Sequence, residues 1–148
     1  HVPDIVFFDL PGTVNSEGVI NSLAGMDYIF TPISADKVVL ESSLSFAVAI
    51  QKLLVKNEAC RLVGLYLFWN MVDGREKTGL YDLYGKLFAE NNFRVLDTRL
   101  PDSKRFRREP SDDRKPVFRS TILPPDTSML KGSRIRELSE EICSIING

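Results

Sequence analysis

The chain alternates short runs of apolar residues with longer stretches in which apolar residues recur every three or four positions. The short runs are rich in Ile, Val, Leu and Phe and predict β-strands, whereas the longer period predicts amphipathic helices. Strands that alternate with helices are typical of a parallel sheet whose strands are joined by crossover helices. The predicted strands are residues 4–9, 28–33, 62–69 and 94–98.

Four helices are predicted between and after these strands. Asn15 or Ser16 can cap the first, which stops near Gly25, and Ser34 or Asp36 can cap the second. The third has the most regular pattern in the chain, and the last covers residues 133–147. Their apolar positions are Val19, Ile20, Leu23 and Ala24 in the first; Leu40, Leu44, Ala47, Val48 and Leu54 in the second; Leu80, Leu83, Tyr84, Leu87 and Phe88 in the third; and Ile135, Leu138, Ile142, Ile145 and Ile146 in the last.

The first apolar run ends in Asp9 and a Pro-Gly turn, within the string DIVFFDLPGT. A run of Ile, Val and Phe is typical of a central parallel strand buried on both faces, and such sheets bind ligands outside the carboxyl ends of their strands. The string has the form of a Walker B strand, which would place Asp9 beside a phosphate-bound magnesium ion. The alternative is that Asp9 only caps the next turn through hydrogen bonds to the backbone.

Length and composition fit a single α/β domain over residues 1–148. With 43% hydrophobic residues and a formal charge of -1, the chain has enough apolar side chains for one core and too few residues for two domains. It has no apolar run of the roughly 18 residues that span a bilayer and no signal-peptide pattern, so we expect a cytoplasmic protein without a membrane span. Cys60 and Cys143 lack the neighbours of a metal site and are expected to be reduced, and His1 is not expected to be a ligand.

Four segments, taken in order, carry a family resemblance: DIVFFDLPGT, MDYIFTPISADKVVLESSLSFA, LVGLYLFWNMVD and VLDTRLPDSKRFRRE. Together they resemble the C-terminal two thirds of the ParA/MinD family of deviant-Walker P-loop ATPases, and the resemblance covers nearly the whole chain. In that family the second strand reads as an Asp, apolar residues and a Pro, as from Asp27 to Pro32. The fourth ends in a Pro-containing turn, as from Thr98 to Pro101. The wording ADKVVLESSLSF is most similar to partition-type proteins of conjugative transposons.

The resemblance implies a three-layer α/β sandwich with a mostly parallel, P-loop NTPase-like sheet, truncated at its N-terminus. Asp9 matches the Walker B acid, which holds Mg²⁺ through a water molecule, and Pro11 and Gly12 match the switch segment. Asn70 matches the residue that reads adenine, and Pro101 the residue that packs against the base. A side-chain amide supplies the donor and the acceptor that an adenine edge requires. Without the resemblance, the pattern favours a turn-forming Asn70 in NMVDG over a base-binding one.

The phosphate loop of the family, a Gly-rich turn with GK[ST], is absent from the 148 residues. Backbone N–H groups and the Lys of that loop bind phosphate, so we expect a fragment that binds Mg²⁺ and ATP weakly or not at all and does not hydrolyse ATP unaided. The intact protein would be an ATPase that dimerises with Mg-ATP and acts with a partner protein in DNA partition, positioning or conjugative transfer. Because the phosphate-loop strand lies beside the Walker B strand in the family, Val6, Phe7 and Phe8 would form an unprotected edge that self-associates or is rearranged.

Residues 102–130 break the pattern with charged residues, Pro and Ser/Thr, and are predicted to form a long basic loop. Between positions 104 and 119 there are seven basic residues and three acidic ones, a local charge of +4. Partition-type members of the family bind DNA non-specifically, and contacts to phosphates need only clustered Lys and Arg. The alternative is a solvated loop whose acids neutralise part of the charge. The candidate DNA-binding residues are Lys104, Arg105, Arg107, Arg108, Arg114, Lys115 and Arg119.

Two other classes of protein fit part of the sequence. A phosphoacceptor receiver domain also has an apolar strand that ends in Asp and a turn, but it needs an acidic pair from an earlier strand and a Lys at a later strand end. Too little chain precedes Asp9 for that pair, and Lys115 comes too late. A non-catalytic DNA- or protein-interaction module with the same fold remains open. Acetyl-phosphate labelling of Asp9 would favour the receiver, whereas ATP binding restored by a phosphate-loop segment would favour the ATPase.

Overall fold

The computed structural model describes residues 4–10, 17–56, 61–75, 78–103 and 127–148. Strands and helices alternate along the chain as the hydrophobic pattern predicts. The described elements are α1 (Glu17–Ala24), β1 (Tyr28–Ile33), α2 (Lys37–Lys56), β2 (Gly64–Trp69), α3 (Thr78–Glu90), β3 (Arg94–Val95), α4 (Thr127–Leu130) and α5 (Ile135–Asn147).

The three described strands form one parallel sheet in the order β1-β2-β3. β1 and β2 pair along their whole length, from Tyr28 opposite Gly64 to Ile33 opposite Trp69. Helices α2 and α3 each connect one strand to the next, as parallel pairing requires. The prediction of an α/β fold with a parallel sheet is therefore confirmed.

The main core lies between the sheet and the helices α2 and α3. Ile33, Leu67 and Trp69 supply the strand side, and Trp69 is only 2% exposed. Its indole meets the ring of Tyr81 edge-on at 4.8 Å between centroids and lies 5.9 Å from the ring of Phe88. Edge-to-face packing of this kind adds to the free energy of area burial, so Trp69 holds β2 and α3 together.

The buried face of α3 matches the predicted one at Tyr84 and Phe88 but not at Leu83 and Leu87. Leu83 and Leu87 are 56% and 43% exposed, although the sequence pattern assigned both to the apolar stripe. The side chains that face the core are Tyr81, Phe88 and the half-buried Tyr84, which surround Trp69. The large rings fill the space over the indole, and this rotates the helix so that the two Leu side chains meet solvent.

The first predicted strand is wrong for the described residues. Residues 5–10 have no regular secondary structure, and the side chains of Phe7 and Phe8 are 70% and 61% exposed. A strand needs a partner for its backbone hydrogen bonds. In the described part of the chain, no backbone hydrogen bond joins this segment to β1 or to any other strand. Leu10 alone is packed, against the second core cluster of Leu23, Ile29 and Ile50.

The fourth strand is shorter than predicted because a side chain of α5 accepts hydrogen bonds from two of its backbone N–H groups. The pattern predicts residues 94–98, but β3 ends at Val95. The backbone N–H groups of Asp97 and Thr98 donate to the two carboxylate oxygens of Glu141, at 2.7 and 2.9 Å. These contacts fix α5 to the end of β3.

Helix ends follow the sequence closely. Asp36 caps α2, since its Oδ1 accepts hydrogen bonds from the backbone N–H groups of Val38 and Val39 at 3.0 Å. Asn92 adopts a left-handed φ of 59° after α3, the conformation that commonly ends a helix. Among the described residues, no helix is both long and apolar enough to cross a membrane.

Candidate functional site

The loops that follow β2 and β3 lie side by side at the carboxyl end of the sheet. Val72 and Pro101 form a parallel bridge, in which Val72 N donates to Leu100 O and Asp102 N donates to Val72 O, each at 2.9 Å. Asn70 lies two residues before this bridge. The structure therefore brings together the loops of two predicted base-binding residues, Asn70 and Pro101, that are far apart in sequence.

Asn70 is held by one hydrogen bond of its backbone and one of its side chain. Its N–H donates to Ile33 O at 2.8 Å, which continues the pairing with β1, and its Oδ1 accepts a hydrogen bond from Met71 N at 2.9 Å. Met71 has a φ of 56°, which is uncommon for a residue with a side chain, and its side chain is half exposed. The side chain of Asn70 thus makes the local bond of a turn while its second carboxamide atom, Nδ2, remains a donor. Both interpretations of Asn70 fit this geometry.

Asp73 and Arg75 form an ion pair at the rim of the same loop. Arg75 Nε and Nη2 donate to the two oxygens of Asp73, at 3.0 and 2.8 Å, and Arg75 N donates to Oδ1 at 2.9 Å. The side-chain hydrogen bond from Arg75, followed by the backbone one, lowers the pKa of Asp73 from 3.8 to about 2. The same bond raises the pKa of Arg75. Sequence reasoning did not select this pair, although an Asp and an Arg two positions apart in a Gly-containing turn signal it.

Asp9 lies at a different place. It is exposed and lines a groove between the segment 4–10 and β1, whereas Asn70 and Pro101 do not line that groove. Pro11 and Gly12, the predicted switch residues, lie outside the described residues, as do all seven candidate DNA-binding residues from Lys104 to Arg119. The structure thus sets the loops of Asn70 and Pro101 side by side, and the groove that Asp9 lines is not shared by either residue.

The groove has a volume of about 1010 Å³ and follows the free side of β1. Its walls are mostly apolar. One wall is the segment 4–10 and the other is β1, with Ile142 and Ile146 of α5 near Phe68. Three carboxylates, those of Asp4, Asp9 and Asp27, belong to its lining.

Mg²⁺ is usually bound by one or two carboxylates, water and the phosphates of its substrate, so an exposed Asp9 fits such a role only when phosphates are brought to it. Within the described ranges, no three His, Cys, Asp or Glu side chains converge to hold a metal ion by themselves. Asp9 thus supplies one exposed carboxylate of the kind that a magnesium nucleotide uses, and the sequence contains no GK[ST] loop to bind the phosphates.

Comparison with known proteins returned no match to this chain, whether with protein-family models, curated protein sequences or solved structures.

Proposed function

We propose that this chain forms the base-binding half of a nucleotide site in a ParA/MinD-like ATPase domain of the three-layer, P-loop NTPase-like class. The observation that carries this proposal is the bridge between Val72 and Pro101, which sets Pro101 beside the loop of Asn70. The resemblance assigns those two residues to opposite sides of an adenine, and the parallel order β1-β2-β3 agrees with the order of the family segments.

Each of these residues would have a separate role in binding the nucleotide. The carboxamide of Asn70 donates to and accepts from the base edge, and Pro101 supplies an apolar surface for its face. Asp9 would hold magnesium through water when a nucleotide brings its phosphates, and ATP and Mg²⁺ together supply the hydrolysis chemistry of the intact enzyme. A phosphate-binding segment must come from outside the 148 residues, and its strand would fit the groove between Asp9 and β1. The proposal also includes Mg-ATP-driven dimerisation, a partner protein, and a role in the partition or conjugative transfer of DNA.

Titration calorimetry with Mg-ATP tests the proposal. The 148-residue chain should show no binding below the millimolar range, because the phosphates have no partner. The same chain preceded by a strand and a GK[ST] loop should bind Mg-ATP in the micromolar range, a gain of about 4 kcal/mol.

Variants of that extended protein locate the base. Asn70→Ala should weaken Mg-ATP binding roughly ten-fold or more, since a buried base edge would lose its partners at a cost of about 1–3 kcal/mol. Asn147→Ala, at the exposed end of α5, is the matched control and should leave the affinity unchanged. Equal affinities of the Asn70 variant and the parent, or micromolar binding by the 148-residue chain alone, would contradict the proposal.

A further inference from the structure

We propose that Arg99 is a positioning residue for the base site: its guanidinium, through the ring of Tyr81, holds the loop that carries Pro101 at a fixed place beside the loop of Asn70. The identity of the ligand rests on the proposed function, whereas the role of Arg99 in fixing the loop rests on its own contacts. Arg99 lies between the end of β3 and the bridge that joins Pro101 to Val72.

Backbone hydrogen bonds hold the residues on either side of Pro101. The N–H group of Leu100 donates to Trp69 O at 2.8 Å, and that of Asp102 donates to Val72 O at 2.9 Å. Pro101 itself has no N–H to donate. The place of its ring therefore depends on these two bonds and on the contacts of the residue that leads into them.

The side chain of Arg99 packs against α3. Its guanidinium carbon is 5.3 Å from the centroid of the Tyr81 ring, and its Nη2 is 3.8 Å from Oδ1 of Asp82. A guanidinium at this distance over an aromatic face is attracted by the negative face of the ring. The carboxylate of Asp82 is 64% exposed, so the ion pair adds little. The ring of Tyr81 is therefore the main attachment of Arg99 to the helix.

The same ring also contacts the residue that precedes the other loop. Tyr81 is 3% exposed and meets the indole of Trp69 edge-on, at 4.8 Å between centroids. Trp69 comes immediately before Asn70, and Arg99 comes two residues before Pro101. One buried ring thus contacts a side chain at the start of each loop. Because a close-packed core leaves such a ring little room to move, it keeps the two loops at a fixed separation.

A second guanidinium in a similar arrangement provides a matched control. The guanidinium carbon of Arg94 is 5.6 Å from the centroid of the Tyr66 ring, and its Nη1 donates to the Tyr66 hydroxyl at 3.0 Å. Arg94 is the first residue of β3, and it pairs with Tyr66 inside the sheet. Neither residue belongs to the loops of Asn70 and Pro101. Removal of this guanidinium therefore costs a comparable contact without touching those loops.

Amide hydrogen exchange of the 148-residue chain tests the role of Arg99 without any nucleotide. In Arg99→Gln, the N–H groups of Leu100 and Asp102 should exchange roughly five-fold faster or more, because the loop loses its attachment to α3 and opens more often. The N–H group of Leu96 donates to Leu67 O within the sheet, at 2.8 Å, and its exchange should be unchanged.

Three further variants separate the ring contact from other effects. Arg99→Lys keeps a cation that can lie over Tyr81 and should recover part of the protection. Asp82→Asn removes only the exposed ion pair and should accelerate exchange in the loop less than Arg99→Gln does. Arg94→Gln should leave the exchange of the loop as it is in the parent.

Titration calorimetry of the chain extended by a strand and a GK[ST] loop tests the effect on the base. Arg99→Gln should weaken the binding of Mg-ATP roughly five-fold or more, because a loosened loop must be ordered when the base binds. Mg-tripolyphosphate has the phosphates without the base, so its affinity should be equal in the variant and the parent. A variant that is simply less folded would bind both ligands more weakly.

Unchanged exchange at Leu100 and Asp102 in Arg99→Gln, the same acceleration in Arg94→Gln, or an equal loss of affinity for both ligands would overturn the proposal. Failure of the nucleotide site gives a different result: the extended parent would then bind Mg-ATP no more tightly than Mg-tripolyphosphate. Faster exchange of the loop in Arg99→Gln would still assign to Arg99 the fixing of that loop.

Discussion

At the scale of the residue, the clearest electrostatic feature is the pairing of Asp73 with Arg75. Three hydrogen bonds join them within one turn, and they act on the ionised carboxylate alone. A bond made only to the charged form favours that form, which is why the pKa of Asp73 lies at about 2 rather than 3.8. Because the pair is exposed to solvent, it stabilises the conformation of the loop and adds little to the free energy of unfolding of the whole protein.

An NMR titration of the Asp73 carboxyl carbon should show a midpoint near 2. The pair contributes its full stabilisation of the loop above pH 3.8. This stabilisation is lost as the pH falls through about 2, because the pKa of Asp73 is lower in the folded protein than in the unfolded chain. In Arg75→Gln the midpoint should rise toward 3.8, since both named hydrogen-bond donors of the side chain change. Arg61→Gln, which removes a guanidinium paired with Asp27 at the amino end of the sheet, should leave the Asp73 midpoint unchanged. A parent midpoint near 3.8 would show that the pair does not form in solution.

At the scale of the element, α3 shows how ring size decides which face of a helix is buried. Tyr81 and Phe88 are buried against Trp69, while Leu87, adjacent to Phe88, is 43% exposed. The helical period fits either stripe, so only the partner across the interface selects between them. That partner, Trp69, lies on a different element, and its orientation cannot be read from the helix sequence.

The two neighbouring positions give a matched pair of substitutions. Phe88→Ala should lower the free energy of unfolding by about 3–5 kcal/mol, because it removes a fully buried ring and leaves a cavity. Leu87→Ala should lower it by less than about 1 kcal/mol, as an exposed side chain loses little. Urea unfolding of both variants measures the difference. Equal losses would mean that Leu87 is packed in the core as tightly as Phe88.

A structural feature could be predicted from the sequence where the residues that determine it lie within a few positions of one another. β1 was predicted with its observed bounds and Asp36 as a cap of α2, since alternation and capping act within a few residues. The segment before Asp9 was not, because a strand exists only with a neighbour to pair with. The expectation that Asn70 and Pro101 lie together came from the family resemblance, and the side-by-side loops agree with the rule that parallel strands end at one edge. The groove depends on where a chain segment lies relative to β1, and no local pattern encodes that.

At the scale of the whole molecule, a carboxylate of α5 accepts two hydrogen bonds from the segment that follows β3. Glu141 accepts from the N–H groups of both Asp97 and Thr98, and the apolar side of the helix adds the buried Leu138. Hydrogen bonds to an ionised acceptor are stronger than those between neutral groups. The contact joins residues 43 and 44 positions apart in sequence and therefore links two ends of the described fold.

Removal of this carboxylate should loosen α5. Glu141→Ala leaves two backbone donors without their acceptor and should cost about 1.5–3 kcal/mol in the free energy of unfolding. Glu140→Ala, the adjacent exposed residue, should cost less than about 0.5 kcal/mol. Amide exchange at Asp97 and Thr98 should accelerate only in the first variant. If exchange there is unaltered, the hydrogen bonds to Glu141 do not hold the helix.

The burial of Trp69 also makes the protein its own optical reporter. It is the single Trp among 148 residues, so all indole fluorescence comes from one place in the core. The same indole belongs to the residue immediately before Asn70, at the end of β2. Its emission therefore reports the melting of the sheet without any label, and a change in that emission on addition of Mg-ATP would support the proposed site at the loop beyond it.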